Sequence, residues 1–253
     1  MKAESIQRIK ERLAAATGDE LEELLAVYEK DERSGVKKLT ERRRKEIQKE
    51  KEEDERLFAM LSYEREYAQY RYICGIDEAG RGPLAGPVVA GAVILPKGCT
   101  IRYLNDSKQL SEKKREQLFD EIMEKAEAVG VGMVSPARID EINILQATYE
   151  AMRMAIGDLG VVPDILLNDA VKIPRVEIRQ VPIIKGDAKS LSIAAASVIA
   201  KVTRDRLMTE YDRLMPEYGF AAHKGYGSAM HIGMLKKYGP SPIHRKTFIK
   251  NFM

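Results

Sequence analysis

Residues 72–95 read YICGIDEAGRGPLAGPVVAGAVIL: two short apolar runs separated by a stretch of glycine and proline. YICGI and VVAGAVIL are too short for core helices and are bounded by turn residues, so each reads as a strand. A glycine-rich connection of this length joins antiparallel neighbours, and the pair predicts a hairpin. Downstream the texture alternates. A helix from Ser111 to about Ala128 precedes the strand VGVGMV at 129–134, and a helix over Leu145–Leu159 precedes DILLND at 164–169. VPIIKGD at 181–187 then leads into a long helix over Ser190–Met208. Strands separated by helices are the signature of crossover units, so the expected core is an α/β domain with a mixed sheet flanked by helices.

Upstream, residues 1–70 carry the runs ERRRKEIQKE and KEEDER and no proline, which predicts a helical, highly charged N-terminal extension; the second domain spans 71–253. Ile6, Ile9, Leu13 and then Leu21, Leu24, Leu25, Tyr28 recur at spacings of three and four, giving each short helix an apolar stripe. The cluster Arg42, Arg43, Arg44, Lys45 is interleaved with glutamates and reads as a solvated helix face rather than a phosphate grip. The extension holds 16 basic and 18 acidic residues, leaving 26 and 21 beyond it, so the slight excess of positive charge lies in the second domain.

The chain of 253 residues has a formal net charge of +3, too small to identify a nucleic-acid binder by composition. Its two cysteines, Cys74 and Cys99, lack partners at metal-ligand spacing, which suits a reducing compartment. MKAESIQRIKERL has no apolar signal core, and PVVAGAVILP is far too short to span a bilayer. A cytoplasmic protein with no membrane association is expected.

Asp77 follows YICGI, Asp169 follows DILLN and Asp187 closes VPIIKG, so three acidic residues are expected at the carboxyl ends of three strands. That edge is where ligands bind in α/β sheets. Converging carboxylates repel one another unless a cation holds them, and hard oxygen ligands suit Mg²⁺ or Mn²⁺. Any one of them alone reads better as a turn residue after a strand; the three strand ends together favour a site. Glu78 can join the site if the strand ends or distorts at Ala79–Pro83, since adjacent strand residues face opposite sides. Asp106 in NDSK reads either as a further ligand or as a cap. The glycines at 80, 82 and 86 do not fit a dinucleotide fingerprint, there is no Walker loop, and His223, His231 and His244 form no nucleophilic arrangement.

The stretch GIDEAGRGPLAGPVVAGAVIL closely resembles the ribonuclease HII family, and the match continues in NDSKQLSEKKRE, DILLND, IIKGDAKSLSIAAASVIAKVTRDR, YGFAAHKGYGS and YGPSPIHRKTF. The resemblance covers about residues 72–248, and the extension resembles that of some bacterial members. It implies a ribonuclease H-like mixed β-sheet and an endonuclease acting on RNA/DNA hybrids and on ribonucleotide-containing duplex DNA. It also implies a two-metal mechanism in which Asp77, Glu78, Asp169 and Asp187 are ligands, one ion activating water and the other stabilising the leaving 3′-oxygen. By the same resemblance Gly80, Arg81 and Gly82 read the ribose 2′-hydroxyl and Tyr226 packs on the following sugar; on its own Tyr226 is a surface turn aromatic. Asn168 stands where an apolar residue is expected. Lys108, Lys185, Lys189, Lys224, Arg245 and Lys246 are candidate phosphate contacts; Lys113 and Lys114 read equally as ordinary surface lysines. KTFIKNFM is not a sliding-clamp motif, and a monomer is expected. Two other readings compete: a ribonuclease H-like nuclease acting on DNA, of resolvase or transposase type, and a non-catalytic nucleic-acid-binding module indifferent to Mg²⁺.

Overall fold

The computed structural model describes residues 4–252. It divides into two compact units, up to Arg56 and from Leu57 onward. Residues 57–70 therefore group with the second unit, although the change in sequence texture comes near residue 70.

In the first unit α1 (Ile6–Ala15), capped by the Ser5 hydroxyl, α2 (Gly18–Tyr28) and the early turns of α3 (Ser34–Met60) surround a small core. Ile9, Leu13, Leu21, Leu25, Tyr28 and Val36 fill it, using the stripes their spacing predicts. Arg42 and Arg43 pair with Glu46, and Arg44 pairs with Glu22 and Glu29. The basic run is thus a laced, solvated face, as its interleaved glutamates suggest.

The second unit is built on a five-stranded sheet of order β3-β2-β1-β4-β5. β1 (Ile73–Ala79) pairs antiparallel with β2 (Val88–Ile94), and β2 with β3 (Ala128–Val134). β4 (Ile165–Asp169) runs parallel to β1, and β5 (Arg179–Ile183) parallel to β4. The expected hairpin and crossovers are both present. β2 lies inside the sheet with both faces covered and is buried throughout, whereas edge strand β3 alternates.

One face of the sheet is covered by α6 (Pro136–Asp158), through Ala147, Ala151, Met152 and Ala155 against Cys74, Ile76, Ala90 and Ile94. The other is covered by α7 (Leu191–Leu214), whose Ala195, Val198, Ile199 and Val202 meet Val93 and α5 (Glu112–Lys125). Small residues let α7 settle close: a Cβ on Gly75 would stand 2.1 Å from the Ser192 carbonyl carbon, and one on Gly91 2.5 Å from the Ala196 oxygen. Truncating a buried residue such as Leu118 to alanine would cost about 2–5 kcal/mol.

Several helix limits differ from the sequence reading for local reasons. α5 stops at Lys125 because Ala128 already pairs with Ile94. α6 begins at Pro136, with Ser135 as its cap, and is broken at Asn143, whose φ of 66° and side-chain acceptance from the Leu145 and Gln146 N–H groups start a second segment. That second segment is the helix expected over Leu145–Leu159. α7 continues past Met208 to Leu214.

The second unit includes α4 (Ser62–Glu66), where Glu64 Oε1 accepts from Ser190 Oγ, Ser192 N and Ser192 Oγ at the start of α7. After α7 come α8 (Phe220–His223), α9 (Ala229–Tyr238) and α10 (Lys246–Ile249). Among the described residues no helix is long and apolar enough to cross a membrane. Cys74 and Cys99 are both free.

Candidate active site

β4 pairs with β1 only as far as Ile76 opposite Asn168, while β2 accompanies β1 on to Ala79. The stretch of β1 carrying Asp77 and Glu78 therefore has one edge open, and Asp169, the last residue of β4, stands beside the opening. Two expectations need correction. Asp77 lies within β1 rather than at its end. Asp187 is not on β5, because Lys185 adopts a left-handed conformation at φ 57° and turns the chain into a short 3₁₀ turn, Gly186–Ala188. That turn returns to β4 through a 2.8 Å hydrogen bond from Gly186 N to Asp169 Oδ1. β1 ends at Ala79 and Gly80 turns at φ 92°, the break expected over residues 79–83. Asp77 and Glu78 both stand on the open edge just before it, and both carboxylates sense Asp169.

Burial raises Asp77 well above the ordinary carboxylate range, and the charges of Glu78 and Asp169 add to it against a hydrogen bond from Ser197. Glu78 is raised by burial although Arg81 lies 3.3 Å away and opposes the shift. Asp187 is raised by burial and then by Asp106 and Asp169. Asp106 takes the cap role, its side chain accepting from Lys108 N at 2.9 Å, and its charge also bears on Asp187. Lys108 stands among these acids, 3.8 Å from Asp106 and 4.0 Å from Asp187. Burial alone would lower Lys108, but Asp106, Asp77, Asp187 and Asp169 outweigh it and raise it.

Among the described residues no three His, Cys, Asp or Glu side chains already form a shell able to hold an ion. The donor set nonetheless fits a hard divalent cation. It is all oxygen, with Asp77 and Asp187 buried and Glu78 and Asp169 half-buried, and Mg²⁺ keeps several waters while taking one or two carboxylates plus substrate phosphate.

Residues 80–87 run beside this edge. Arg81 and Gly82 are exposed, and a Cβ on Gly82 would find Tyr226 Cε1 at 4.0 Å, so the loop and the KGYG turn face each other. Lys185 and Lys189 are exposed on either side of Asp187. Two basic candidates are placed otherwise. Arg245 is 0% exposed and donates to the carbonyls of Gly80, Arg81 and Gly86, so it cannot reach a phosphate. Lys224 Nζ is occupied by Ala221 O at 2.8 Å and Thr209 Oγ1 at 3.1 Å. Both read as available cations in sequence, but backbone carbonyls and, for Lys224, the Thr209 hydroxyl claim them.

Arg204 escaped the sequence reading. It is 0% exposed and donates to Ala85, Pro87 and Lys224 carbonyls. Its signal was positional: Ala196, Ala200, Arg204 and Met208 fall on one i, i+4 row of buried side chains. His231 and His244 form a hydrogen-bonded relay, while His223 lies between Tyr218 O and Gly225 N. Ser241 N–H donates to His244 Nδ1, the two Nε2 atoms of His244 and His231 lie 2.9 Å apart, and His231 Nδ1 lies 2.9 Å from Tyr226 O. The backbone donor leaves His244 its proton on Nε2 and His231 its proton on Nδ1, so the chain ends as a donor to the Tyr226 carbonyl. Asn168 is buried and bridges to Gln180 at 2.8 Å, while its Oδ1 lacks a partner among the described residues.

A mixed five-stranded sheet with a large helix on each face and clustered acids on the open edge of β1 defines the ribonuclease H-like class of fold. A family profile described as ribonuclease HII matches residues 74–251, and one described as ribonuclease HII N-terminal domain matches residues 5–68. A ribonuclease HII of Lachnoclostridium phytofermentans is 69% identical over 224 residues, 88% of each chain. One from Clostridioides difficile is 50% identical over 255 residues, spanning 100% of both. The crystal structure of ribonuclease H2 from Pyrococcus horikoshii superposes with a TM-score of 0.57 at 30% identity, covering 70% of this chain and 93% of that one. The chain belongs to the ribonuclease HII family and is an endoribonuclease. The reaction of that family is cleavage of the RNA strand in RNA/DNA hybrids.

Proposed function

We propose that this enzyme, besides cutting the RNA strand of hybrids, incises duplex DNA on the 5′ side of single embedded ribonucleotides, leaving 5′-phosphate and 3′-hydroxyl ends. Asp77, Glu78, Asp169 and Asp187 would hold Mg²⁺ or Mn²⁺. The observation that carries this reading is the gathering of Asp77, Glu78 and Asp187 around Asp169, each kept above its ordinary range by burial and by the charge of Asp169, with Glu78 adding to Asp77 and Asp106 to Asp187. Such a cluster is electrostatically incomplete without added positive charge. Divalent ions bound there supply a water activated for in-line attack on phosphorus and positive charge for the leaving 3′-oxygen.

The chain's own groups hold the carboxylates in place. The Ser197 hydroxyl orients Asp77, Gly186 N–H orients one oxygen of Asp169, and Arg81 tethers Glu78. Gly80, Arg81 and Gly82 would read the 2′-hydroxyl, and Tyr226 would pack on the following sugar; the Tyr226 ring edge, 4.0 Å from where a Cβ on Gly82 would stand, supports a shared ribose cleft. Lys108, Lys185 and Lys189 would meet backbone phosphates. A monomer in the cytoplasm, with both thiols free, completes the reading.

Initial rates on a duplex with one ribonucleotide, on a full hybrid and on an all-DNA control test it, each with and without chelator. Cleavage of both ribose-containing substrates, abolished by chelator and restored by Mg²⁺ or Mn²⁺, is expected. Cutting of the all-DNA control would favour the DNA-directed alternative and overturn the reading.

A further inference from the structure

Among the described residues, two arginines are fully buried without an acid in ion-pair contact. Arg204 on α7 and Arg245 at the start of α10 are both 0% exposed, and neither has a carboxylate at ion-pair distance among the described residues. Taking a guanidinium out of water is costly unless its N–H groups find acceptors. Here the acceptors are backbone carbonyls. Arg245 donates to Gly80, Arg81 and Gly86 at 2.5, 2.8 and 2.9 Å, and Arg204 to Ala85, Pro87 and Lys224 at 3.0, 2.9 and 2.9 Å. Five of these carbonyls lie in residues 80–87, and the sixth belongs to Lys224, two residues before Tyr226. Burial, reinforced by the neighbouring Arg204 charge, pulls Arg245 down to about 9, a measure of how dry the position is.

The consequence for the loop follows from peptide geometry. A planar trans peptide holds its C=O and N–H on opposite sides, and the described chain has no cis bond. Turning the Gly80 and Arg81 carbonyls inward onto Arg245 therefore turns the N–H groups of Arg81 and Gly82 outward. Neither N–H has an acceptor among the described residues. The outward side is open, with Tyr226 as its wall, and Arg204 lies by that wall with Cζ 5.9 Å from the ring centroid. Loop and arginine fit each other closely: a Cβ on Gly80, at φ 92°, would stand 2.1 Å from Arg204 Nε.

We propose that Arg204 and Arg245 are positioning residues for ribose recognition, anchoring the loop carbonyls so that the N–H groups of Arg81 and Gly82 stand as a fixed pair of donors beside Tyr226. The inference rests on the ribose-reading role proposed above for this loop. A 2′-hydroxyl oxygen accepts from such donors, whereas a deoxyribose leaves them unpaired. Lysine cannot substitute, because one ammonium does not span three carbonyls set out for a planar fork.

The test compares binding of the full-length chain, in chelator so that nothing is cut, to two duplexes differing in a single 2′-hydroxyl. The wild type is expected to prefer the ribonucleotide duplex. Arg245→Lys should reduce that preference roughly three- to tenfold, the worth of about one hydrogen bond, with affinity for the all-DNA duplex unchanged. Arg204→Lys should act in the same direction. A merely structural role would lower both affinities together and leave their ratio where it was. If neither variant folds, hydrogen exchange on the wild type decides: the Arg81 and Gly82 amides should gain protection from the ribonucleotide duplex and none from the all-DNA duplex. Unchanged ratios in folded variants, or equal protection by both duplexes, would overturn the inference and leave the proposed reaction standing. A wild type with no preference at all would overturn both.

Discussion

The open edge of β1 and the layer beneath residues 80–87 are both crowded with buried charge, yet they treat it in opposite ways. At the edge, Asp77, Glu78 and Asp187 are raised by burial and by the charge of Asp169 among them, and Lys108 and Arg81 do not restore the balance. Beneath the loop, Arg204 and Arg245 are as thoroughly removed from water, but backbone carbonyls meet their donors. A region that completes its own polar contacts acts as a scaffold; one that leaves charge unbalanced invites a ligand. The contrast separates the groups that should touch metal and substrate from those that hold other groups still.

The strongest way to break the contrast is to remove charge from the open side. Asp77→Asn is expected to lower the cleavage rate by roughly three orders of magnitude, equivalent to several kcal/mol of transition-state stabilisation, while duplex binding persists. Mn²⁺ should raise the melting temperature of the wild type by mass action and raise that of the variant less. A variant that cleaves at near wild-type rate in Mg²⁺ would remove Asp77 from the site.

On the closed side, the histidine relay should respond to acid. Burial, followed by the His231 charge, lowers His244 to about 4, and its Nδ1 accepts from Ser241 N–H, which an imidazolium cannot do. Because the folded value lies below the ordinary 6.5, the unfolded chain takes up the proton first. Stability contributed by His244 is therefore intact above about pH 6.5 and declines as pH falls toward 4, by on the order of 3 kcal/mol in all. Thermal melts of wild type and His244→Asn across that window check the sign. A wild type no more acid-sensitive than the variant would show that the relay is not closed as described.

Glu64 offers a smaller test, because its Oε1 accepts from three donors at the start of α7 while its Oε2 has no partner among the described residues. Glu64→Gln should cost about 1–2 kcal/mol of stability and leave Mn²⁺ binding unchanged. Calorimetric titration together with denaturant unfolding separates the two readouts. A loss of metal affinity equal to that of Asp77→Asn would join Glu64 to the open edge.

The smallest effects should distinguish two lysines that look alike in sequence. Lys189→Ala should weaken duplex binding a few-fold and reduce the slope of log affinity against log salt by about 1, since it is exposed beside Asp187. Lys224→Ala should leave that slope unchanged, because its ammonium is engaged by Ala221 and Thr209. Equal slopes in the two variants would erase the distinction between open and closed cations.

Much of this was legible in the chain. The two apolar runs around GRGPLAGP specify a hairpin through their length and bounding glycines and prolines, and the later strands specify crossovers by alternating with helices. Asp77, Glu78, Asp169 and Asp187 could be singled out because carboxylates following apolar runs come near one edge of such a sheet and because those runs match the ribonuclease HII pattern. These are local properties, carried by neighbouring residues and their period. The setting of each acid was not local: that β4 stops beside Ile76, and that Lys185 turns Asp187 off the line of β5, depends on strand register. The fate of the basic residues was least accessible. Arg245 sits in an HRK run that reads as a phosphate grip, yet its acceptors come from Gly80, Arg81 and Gly86, far away along the chain. Whether a guanidinium faces a phosphate or a carbonyl is decided by which backbone arrives beside it, and that is settled only when distant segments pack.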